Sequence, residues 1–300
     1  MKYLEYIKYS YLILLCMLLM SFKSQNIKEE DPIFSFGVIA DCQYKGEGDT
    51  DTRKYSKSST KLKESVEFFN SQDLFFTIHL GDLIDSDWGS FDIVKPIFNK
   101  LKSTSYHVLG NHDFSVSNDK KGEVYRKMDM PSEYYDFSVE NWRLIVLNGN
   151  DISFYAYPEG SEMYNFSSNY YEQNEIKSPT WNGAIGAKQM NWLNETLKEA
   201  SERDEKVIIF NHFPVYPKKS HNLWNDSEVI EIIERYPCVK AYMNGHNHNG
   251  SYEIKNGKHY LTFKGMVETE QNSYAIVEVY HNRIEIKGYG REESRTLPMF

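Results

Sequence analysis

LFFTIHLGDLID, residues 74–85, is an apolar run that ends in a glycine and two aspartates. The run from Leu74 to Leu80 predicts a buried strand, because it is short, continuous and rich in aromatic and branched side chains. Gly81 allows the backbone to turn sharply, and Asp82 and Asp85 follow at once. We therefore expect a buried strand that carries carboxylates at its C-terminal end.

The same arrangement, an apolar run followed by Asp, Asn or His, recurs elsewhere, and helical patterns separate several of these strands. The other polar clusters are Asp41-Cys42-Gln43, Gly110-Asn111-His112-Asp113, Asn211-His212 and Gly245-His246-Asn247-His248. In open α/β sheets, sites form outside the carboxyl ends of the strands, so we expect all of these clusters to converge on one edge. The alternation of strands and helices, followed by a run of hairpins, favours one α/β domain with two packed sheets.

The residue types at this edge indicate a metal site. Carboxylates, imidazoles and amide oxygens bind hard to borderline divalent cations, and the clusters contain no set of thiolates. A bridging carboxylate can hold two ions about 4 Å apart, and such a pair generates hydroxide at neutral pH and neutralises phosphoryl oxygens. The pattern therefore favours a binuclear hydrolase that acts on phosphate esters or anhydrides.

In order, the clusters resemble the signature of the calcineurin-like metallophosphoesterase superfamily: Asp-x-Gln, Gly-Asp-x-x-Asp, Gly-Asn-His-Asp, a lone His and Gly-His-x-His. They extend from Asp41 to His248. The resemblance implies an α/β fold, a four-layer α/β/β/α sandwich of two mixed sheets flanked by helices, in a single domain over residues 33–291. Residues 151–186 are long, polar and without a clear period, and we expect them to form a loop insertion near the site.

The resemblance also implies a role for each site residue. Asp41, Gln43 and His248 would hold the first ion, and Asn111, His212 and His246 the second, with Asp82 shared between them. His112 would contact the phosphate and assist the leaving group as a catalytic acid, oriented by Asp85. Gln43 stands where a His is common, and its harder amide oxygen favours Mn²⁺, with Mg²⁺, Zn²⁺ or Fe as the alternatives.

Further segments narrow the resemblance. The stretches FSFGVIADCQY (residues 34–44), Trp181-Asn182-Gly183 and Gly265-Met266-Val267-Glu268-Thr269 are similar to the manganese-dependent ADP-ribose/CDP-alcohol diphosphatase family. This implies hydrolysis of the phosphoanhydride of ADP-ribose, CDP-choline or another CDP-alcohol by in-line attack of a metal-bridging hydroxide, releasing a nucleoside monophosphate. The alternatives are a phosphodiesterase or phosphomonoesterase acting on other nucleotides or lipid head groups, and a non-catalytic scaffold, which the intact ligand set disfavours.

Substrate contacts have weaker signals. Arg53 and Lys57 are candidates for the second phosphate or the ribose, since Arg suits bidentate phosphate binding, with a solvated face as the alternative. Tyr44 is a candidate contact to the nucleobase. Trp224 offers a stacking face or, alternatively, core packing. His221 lies in a basic loop near the predicted site and is a further candidate.

The charge and the N-terminus bear on partners and localisation. The formal net charge is −9, so the protein lacks the basic surface field expected of a nucleic-acid binder. The expected substrate is therefore a small-molecule nucleotide. No protein partner is implied. Lys2 and Lys8 precede an apolar run over residues 11–22, which predicts a signal peptide over residues 1–24, too short for a stable membrane span. We therefore expect export to the periplasm or the extracellular space, with a retained N-terminal membrane anchor as the alternative.

Overall fold

The computed structural model describes Glu30–Met299 and places its strands in two six-stranded sheets. The first sheet has the order β12-β11-β10-β1-β2-β3, and the second β4-β5-β6-β7-β9-β8. The strands of the first sheet are β1 (Phe34–Ile39), β2 (Phe76–His79), β3 (Thr104–His107), β10 (Ser273–Val279), β11 (Arg283–Gly290) and β12 (Arg295–Pro298). Those of the second are β4 (Tyr135–Val139), β5 (Trp142–Val146), β6 (Lys206–Phe210), β7 (Val239–Asn244), β8 (Ser251–Lys255) and β9 (Lys258–Thr262).

Helices cover the outer faces of both sheets. In chain order the α-helices of the described residues are α1 (Ser58–Phe69), α2 (Trp88–Phe98), α3 (Val124–Lys127), α4 (Glu162–Gln173), α5 (Ala187–Glu202) and α6 (Asp226–Arg235). Apolar side chains of α1 and α2 pack with the first sheet, as where the Phe69 ring lies against Gly37 of β1. Those of α5 and α6 pack on the second sheet.

Alternation along the strands of the second sheet separates the two cores. Leu144 of β5 and Phe210 of β6 belong to the core between the sheets, whereas Ile145 and Ile209 belong to the core beneath α5 and α6. Successive side chains of a strand point to opposite faces, so a sheet covered on both sides is apolar throughout. The predicted four-layer sandwich of two mixed sheets is confirmed.

Parallel pairing sets the position of the site. In the first sheet, β1 pairs in parallel with β2 and β2 with β3; in the second, β5, β6 and β7 are parallel neighbours. Their carboxyl ends therefore lie at one edge of each sheet. Across the interior the sheets are joined by aromatic contacts such as Phe36 against Phe210, whose ring centroids lie 5.9 Å apart.

Two boundary predictions are corrected. Residues 151–186 are not loop throughout, because Glu162–Gln173 forms α4, capped at its N-terminus by the Ser161 hydroxyl, which accepts from the Tyr164 amide. The helix buries only Ser167, so it carries no apolar stripe that a period could reveal. The domain also continues past residue 291, because β12 pairs antiparallel with β11 and buries Leu297.

The predicted signal peptide, residues 1–24, lies outside the described residues. Within Glu30–Met299, no helix combines the length and the apolar character needed to cross a bilayer.

Candidate binuclear metal site

The carboxylate of Asp82, at the turn after β2, lies between two groups of potential ligands. Its Oδ2 accepts a hydrogen bond from Gln43 Nε2 at 2.9 Å and lies 3.3 Å from His212 Nε2. Its Oδ1 accepts from the main-chain amide of His112 at 2.8 Å. The side chain is fully buried. Asp82 therefore lies between Gln43 of one predicted ligand group and His212 of the other.

The second predicted ligand group converges on one point. Asn111 Oδ1 and His246 Nδ1 lie 3.2 Å and 3.0 Å from His212 Nε2. One ligand atom from each of Asp82, His212 and His246 lies within 4.8 Å of the others. The opposite ring nitrogen of His212 faces the main-chain oxygen of Leu80 at 2.9 Å, which fixes the ring so that Nε2 points into the cluster.

The first predicted ligand group lies on the other side of Asp82. His248 Nε2 is 3.4 Å from Asp41 Oδ1, and the Asp41 carboxylate also accepts the main-chain amide of His246 at 3.1 Å. Gln43 Oε1 is buried and makes no hydrogen bond. A buried amide oxygen without a partner is costly unless it has a ligand. Together with the carboxylate, imidazole and amide donors, this atom fits a hard divalent cation.

The pKa values of the site residues also show that positive charge beside Asp82 is favourable in the metal-free protein. Burial would raise the pKa of Asp82, but His212 and His112 hold it well below its usual range. Burial would lower the pKa of His212, but the charge of Asp82 raises it to about 9. The pKa of His246 is well below its usual value because of burial and of His212. A proton on His212 thus balances Asp82, and metal binding would release it.

Asp113 supports the turn that carries Asp82. Its buried carboxylate accepts hydrogen bonds from the main-chain amides of Asp82, Leu83, Ile84 and Gly110, at 3.0, 2.8, 3.3 and 2.9 Å. No role for Asp113 was predicted from the sequence. A carboxylate that gathers four main-chain amides fixes the turn, so Asp113 sets the direction of the Asp82 side chain.

His112 lies beside the predicted metal ligands and faces Asp85. Its Nδ1 is 3.0 Å from the main-chain oxygen of Asp85 and 3.3 Å from Asp85 Oδ1. Burial would lower the pKa of His112, but Asp82 and Asp85 raise it to about 9. The structure therefore brings together the two residues predicted to be catalytic, and the imidazolium form is favoured.

A cleft of about 340 Å³ opens over the predicted metal ligands. It is lined by Gln43, Arg53, Asp82, Asn111, His112, Tyr155, Trp181, His221, His246 and His248. Of the predicted substrate contacts, Arg53 and His221 therefore line the cleft. Lys57 is exposed and Tyr44 is half-buried against the core, and neither belongs to this lining.

The stacking role predicted for Trp224 is corrected by its position. Its ring is buried against Phe154 and Tyr171, at centroid distances of 5.7 and 5.1 Å, and its Nε1 donates to the main-chain oxygen of Pro179. Trp181 lines the cleft instead, and its ring lies 5.1 Å from that of His246 and 4.9 Å from that of His221.

Two residues that orient predicted ligands were not predicted from the sequence. Asn182 Oδ1 lies 2.9 Å from His246 Nε2, and Glu268 Oε1 lies 2.8 Å from His248 Nδ1. The hydrogen bond from His248 is the main reason that the pKa of Glu268 falls to about 2. Both residues lie in segments that are similar to the diphosphatase family, and this similarity could have marked them as functional residues.

One carboxylate shared by two groups of oxygen and nitrogen ligands, at the edge of a four-layer sandwich, is the arrangement of a metal-dependent phosphoesterase. Residues 34–250 match the family model for calcineurin-like phosphoesterases, and the chain belongs to this family. It is accordingly a metal-dependent hydrolase of phosphate esters or anhydrides.

Relatives with curated names cover nearly the whole chain. It is 31% identical to the manganese-dependent ADP-ribose/CDP-alcohol diphosphatase of Arabidopsis thaliana, over 88% of this chain and 96% of that protein. It is 30% identical to the protein of the same name from Homo sapiens, over 88% and 92%. Among solved structures, a dimetal phosphatase from Danio rerio matches with a TM-score of 0.80 at 25% identity, over 90% of this chain and 100% of that one.

Proposed function

We propose that the protein is a manganese-dependent diphosphatase that hydrolyses the phosphoanhydride of ADP-ribose, CDP-choline or another CDP-alcohol and releases a nucleoside monophosphate. The observation that carries the metal chemistry is the position of Asp82, between Gln43 on one side and His212 on the other. The choice of substrate class is supported by the names of the relatives in plants and vertebrates.

The residues that would hold the metals form two groups around Asp82. Asp41, Gln43 and His248 would hold one ion, and Asn111, His212 and His246 the other. When bound, two such ions activate water at neutral pH and offset the charge on the phosphoryl oxygens. The free Oε1 of Gln43 supports Mn²⁺, because an amide oxygen is a harder ligand than imidazole.

His112 is the residue proposed to protonate the leaving group. Its Nδ1 faces Asp85, which leaves Nε2 to carry the second proton of the imidazolium toward the cleft. As the bond between the attacked phosphorus and the bridging oxygen breaks, that proton passes from Nε2 to the departing phosphate. Asp85 keeps the ring aimed and stabilises its charged form.

Arg53 and Trp181 are proposed to hold the rest of the substrate. The guanidinium of Arg53 lines the cleft, so it is placed to bind the phosphate that is not attacked. Trp181 belongs to no core cluster within the described residues and rests on His221 and His246. Trp181 is partly exposed and lines the cleft, and its ring suits a nucleobase, since aromatic stacking accepts every base.

The test is an assay of the purified protein with Mn²⁺, Mg²⁺ or Zn²⁺ against ADP-ribose, CDP-choline, cyclic nucleotides and p-nitrophenyl phosphate. Release of AMP and CMP from the first two, greatest with Mn²⁺, supports the proposal. Activity confined to p-nitrophenyl phosphate or cyclic nucleotides would overturn it in favour of a monoesterase or phosphodiesterase. Asp82→Asn should abolish turnover, while Asp73→Asn, which alters an exposed carboxylate, should leave it unchanged.

We also propose that the protein is exported by its N-terminal segment, residues 1–24. The support is the basic start and the apolar run over residues 11–22. Fractionation of the native host, with mass spectrometry of the N-terminus, tests this. A shortened chain outside the cytoplasm supports export, and a full-length chain among the cytoplasmic proteins contradicts it. A full-length chain in the membrane fraction would point to the anchor alternative.

A further inference from the structure

We propose that Glu268 is a positioning residue that couples the metal group of Asp41, Gln43 and His248 to the substrate-binding Arg53, an inference that rests on the proposed function for the role of Arg53. One oxygen carries both contacts. Glu268 Oε1 lies 2.8 Å from His248 Nδ1 and accepts from Arg53 Nε at 3.3 Å. A movement of either partner therefore changes the hydrogen bond that the other can make.

The contact to His248 controls a predicted metal ligand. A carboxylate at Nδ1 keeps the proton on that nitrogen and leaves the lone pair on Nε2, which lies 3.4 Å from Asp41 Oδ1. Such outer carboxylates fix the tautomer and the direction of a ligating imidazole and make it more basic. Without Glu268, the His248 ring loses the partner that aims it at the metal.

The contact to Arg53 controls a cation in the cleft. The guanidinium also contacts the Tyr55 hydroxyl at 3.4 Å, and its side chain is 37% exposed. A long side chain with that freedom binds a phosphate more tightly when it is already held in place. Glu268 thus connects Arg53, the proposed phosphate-binding residue, to His248, the predicted metal ligand, through two hydrogen bonds.

The main chain around Glu268 is held firmly enough to act in this way. Arg53 and Glu268 form an antiparallel β-bridge, flanked by the amide of Lys54 donating to the Val267 oxygen at 2.8 Å and the amide of Thr269 donating to the Thr52 oxygen at 2.6 Å. The segment that carries Arg53 is therefore paired directly with the segment that carries Glu268.

Lys61 of α1 braces the same segment from inside the fold. Its buried ammonium group donates to the main-chain oxygens of Met266, Glu268 and Thr269, at 2.7, 3.3 and 2.5 Å. A buried ammonium needs such acceptors, and three carbonyls held by one cation fix the path of the loop. The main chain that carries Glu268 is therefore held by the body of the domain.

The test compares Glu268→Gln with Glu270→Gln, which alters an exposed carboxylate in the same loop. Titration of the metal-free proteins with Mn²⁺ should show one of two sites weakened about 10- to 100-fold in Glu268→Gln only, the range typical of outer-sphere partners. Two unchanged Mn²⁺ affinities would overturn the proposal. Matching circular dichroism spectra establish that both variants are folded.

The coupling to Arg53 is tested by a double-mutant cycle on KM, measured at saturating Mn²⁺. Arg53→Met should raise KM, and should raise it much less when Glu268→Gln is already present. Independent, multiplying effects on KM would overturn the coupling. If the wild-type protein cleaves no nucleoside diphosphate derivative, the proposed function fails, yet the Mn²⁺ titration still decides whether Glu268 positions His248.

Discussion

His112 Nδ1 lies 3.0 Å from the main-chain oxygen of Asp85 and 3.3 Å from its carboxylate Oδ1. Two acceptors on one residue thus face the same ring nitrogen, and the proton of Nδ1 stays there. The charged ring is further favoured by Asp82, whose Oδ1 accepts the main-chain amide of His112. This arrangement makes His112 a donor from Nε2 toward the cleft, which leads to the first two predictions.

Replacing His112 by Asn should lower kcat without removing the metals. Loss of a positioned general acid costs about 10²- to 10⁴-fold in rate. His112 is not among the predicted ligands, so the Mn²⁺ content of the purified variant should match that of the wild type. Steady-state kinetics with metal analysis checks this, and a variant with full kcat or with an emptied metal site would contradict the role.

The Asp85→Asn variant should shift the pH dependence of kcat toward acid. The donor must be protonated, so kcat falls as pH rises through the pKa of His112. Asp82 and Asp85 raise that pKa against the effect of burial. Removing the charge of Asp85 lowers the pKa of His112, and the basic limb of the profile moves to lower pH. Asp92→Asn, an exposed change on α2, should leave the profile in place.

Gly110 should tolerate no side chain, because of Asp82. A Cβ at this position would overlap both the carboxylate Oδ1 and the main-chain nitrogen of Asp82. Gly110→Ala should therefore displace the shared carboxylate and weaken Mn²⁺ binding more than 100-fold, with loss of turnover in parallel. Gly122→Ala is the matched control, since its Cβ would meet nothing within 4 Å. Equal Mn²⁺ titrations for the two variants would refute this reading of the turn.

Substitutions of Trp181 and Trp224 should affect different properties, the first substrate binding and the second stability. Trp181→Ala removes the face proposed for the nucleobase, and KM for CDP-choline should rise about 10-fold or more, since stacking is worth about 1–3 kcal/mol. Trp224→Phe keeps the aromatic cluster but loses the hydrogen bond to Pro179, so it should cost about 1 kcal/mol of stability and leave KM unchanged. The opposite pattern would restore the sequence-based assignment of Trp224.

The two tryptophans also show which features of the site could not be predicted from the sequence. The polar clusters that hold the predicted ligands could be located in the sequence because most of them follow an apolar run, and their individual roles came from the resemblance to the family. Whether Trp181 or Trp224 reaches the cleft depends on the path of residues 151–186, which have no period. Glu268 lies more than 200 residues from Arg53, and only the folded chain brings them together. Helix α4 was not predicted because it buries no apolar stripe, so its sequence has no helical period of apolar residues.

A pair of buried histidines in the first sheet should govern acid stability. His79 and His107 face each other on adjacent strands β2 and β3, with ring centroids 5.9 Å apart. Both are buried, and neither ring nitrogen of His79 nor Nδ1 of His107 makes a hydrogen bond. Burial and the charge of Lys95 lower the pKa of His107 to about 4, with Asp129 acting weakly the other way. The folded protein therefore holds this ring neutral.

The free energy of unfolding should fall as pH drops from about 6.5 to about 4, because the unfolded chain protonates His107 in this interval and the folded chain does not. For this one group the loss amounts to about 3 kcal/mol across the interval. His107→Phe, which keeps a ring against Phe98, should remove that share, while His281→Gln, an exposed change, should not. Urea unfolding of the chelator-treated proteins at pH 7, 6, 5 and 4.5 measures the difference between the variants. A wild-type curve that parallels that of His107→Phe would show that the ring is already charged in the fold.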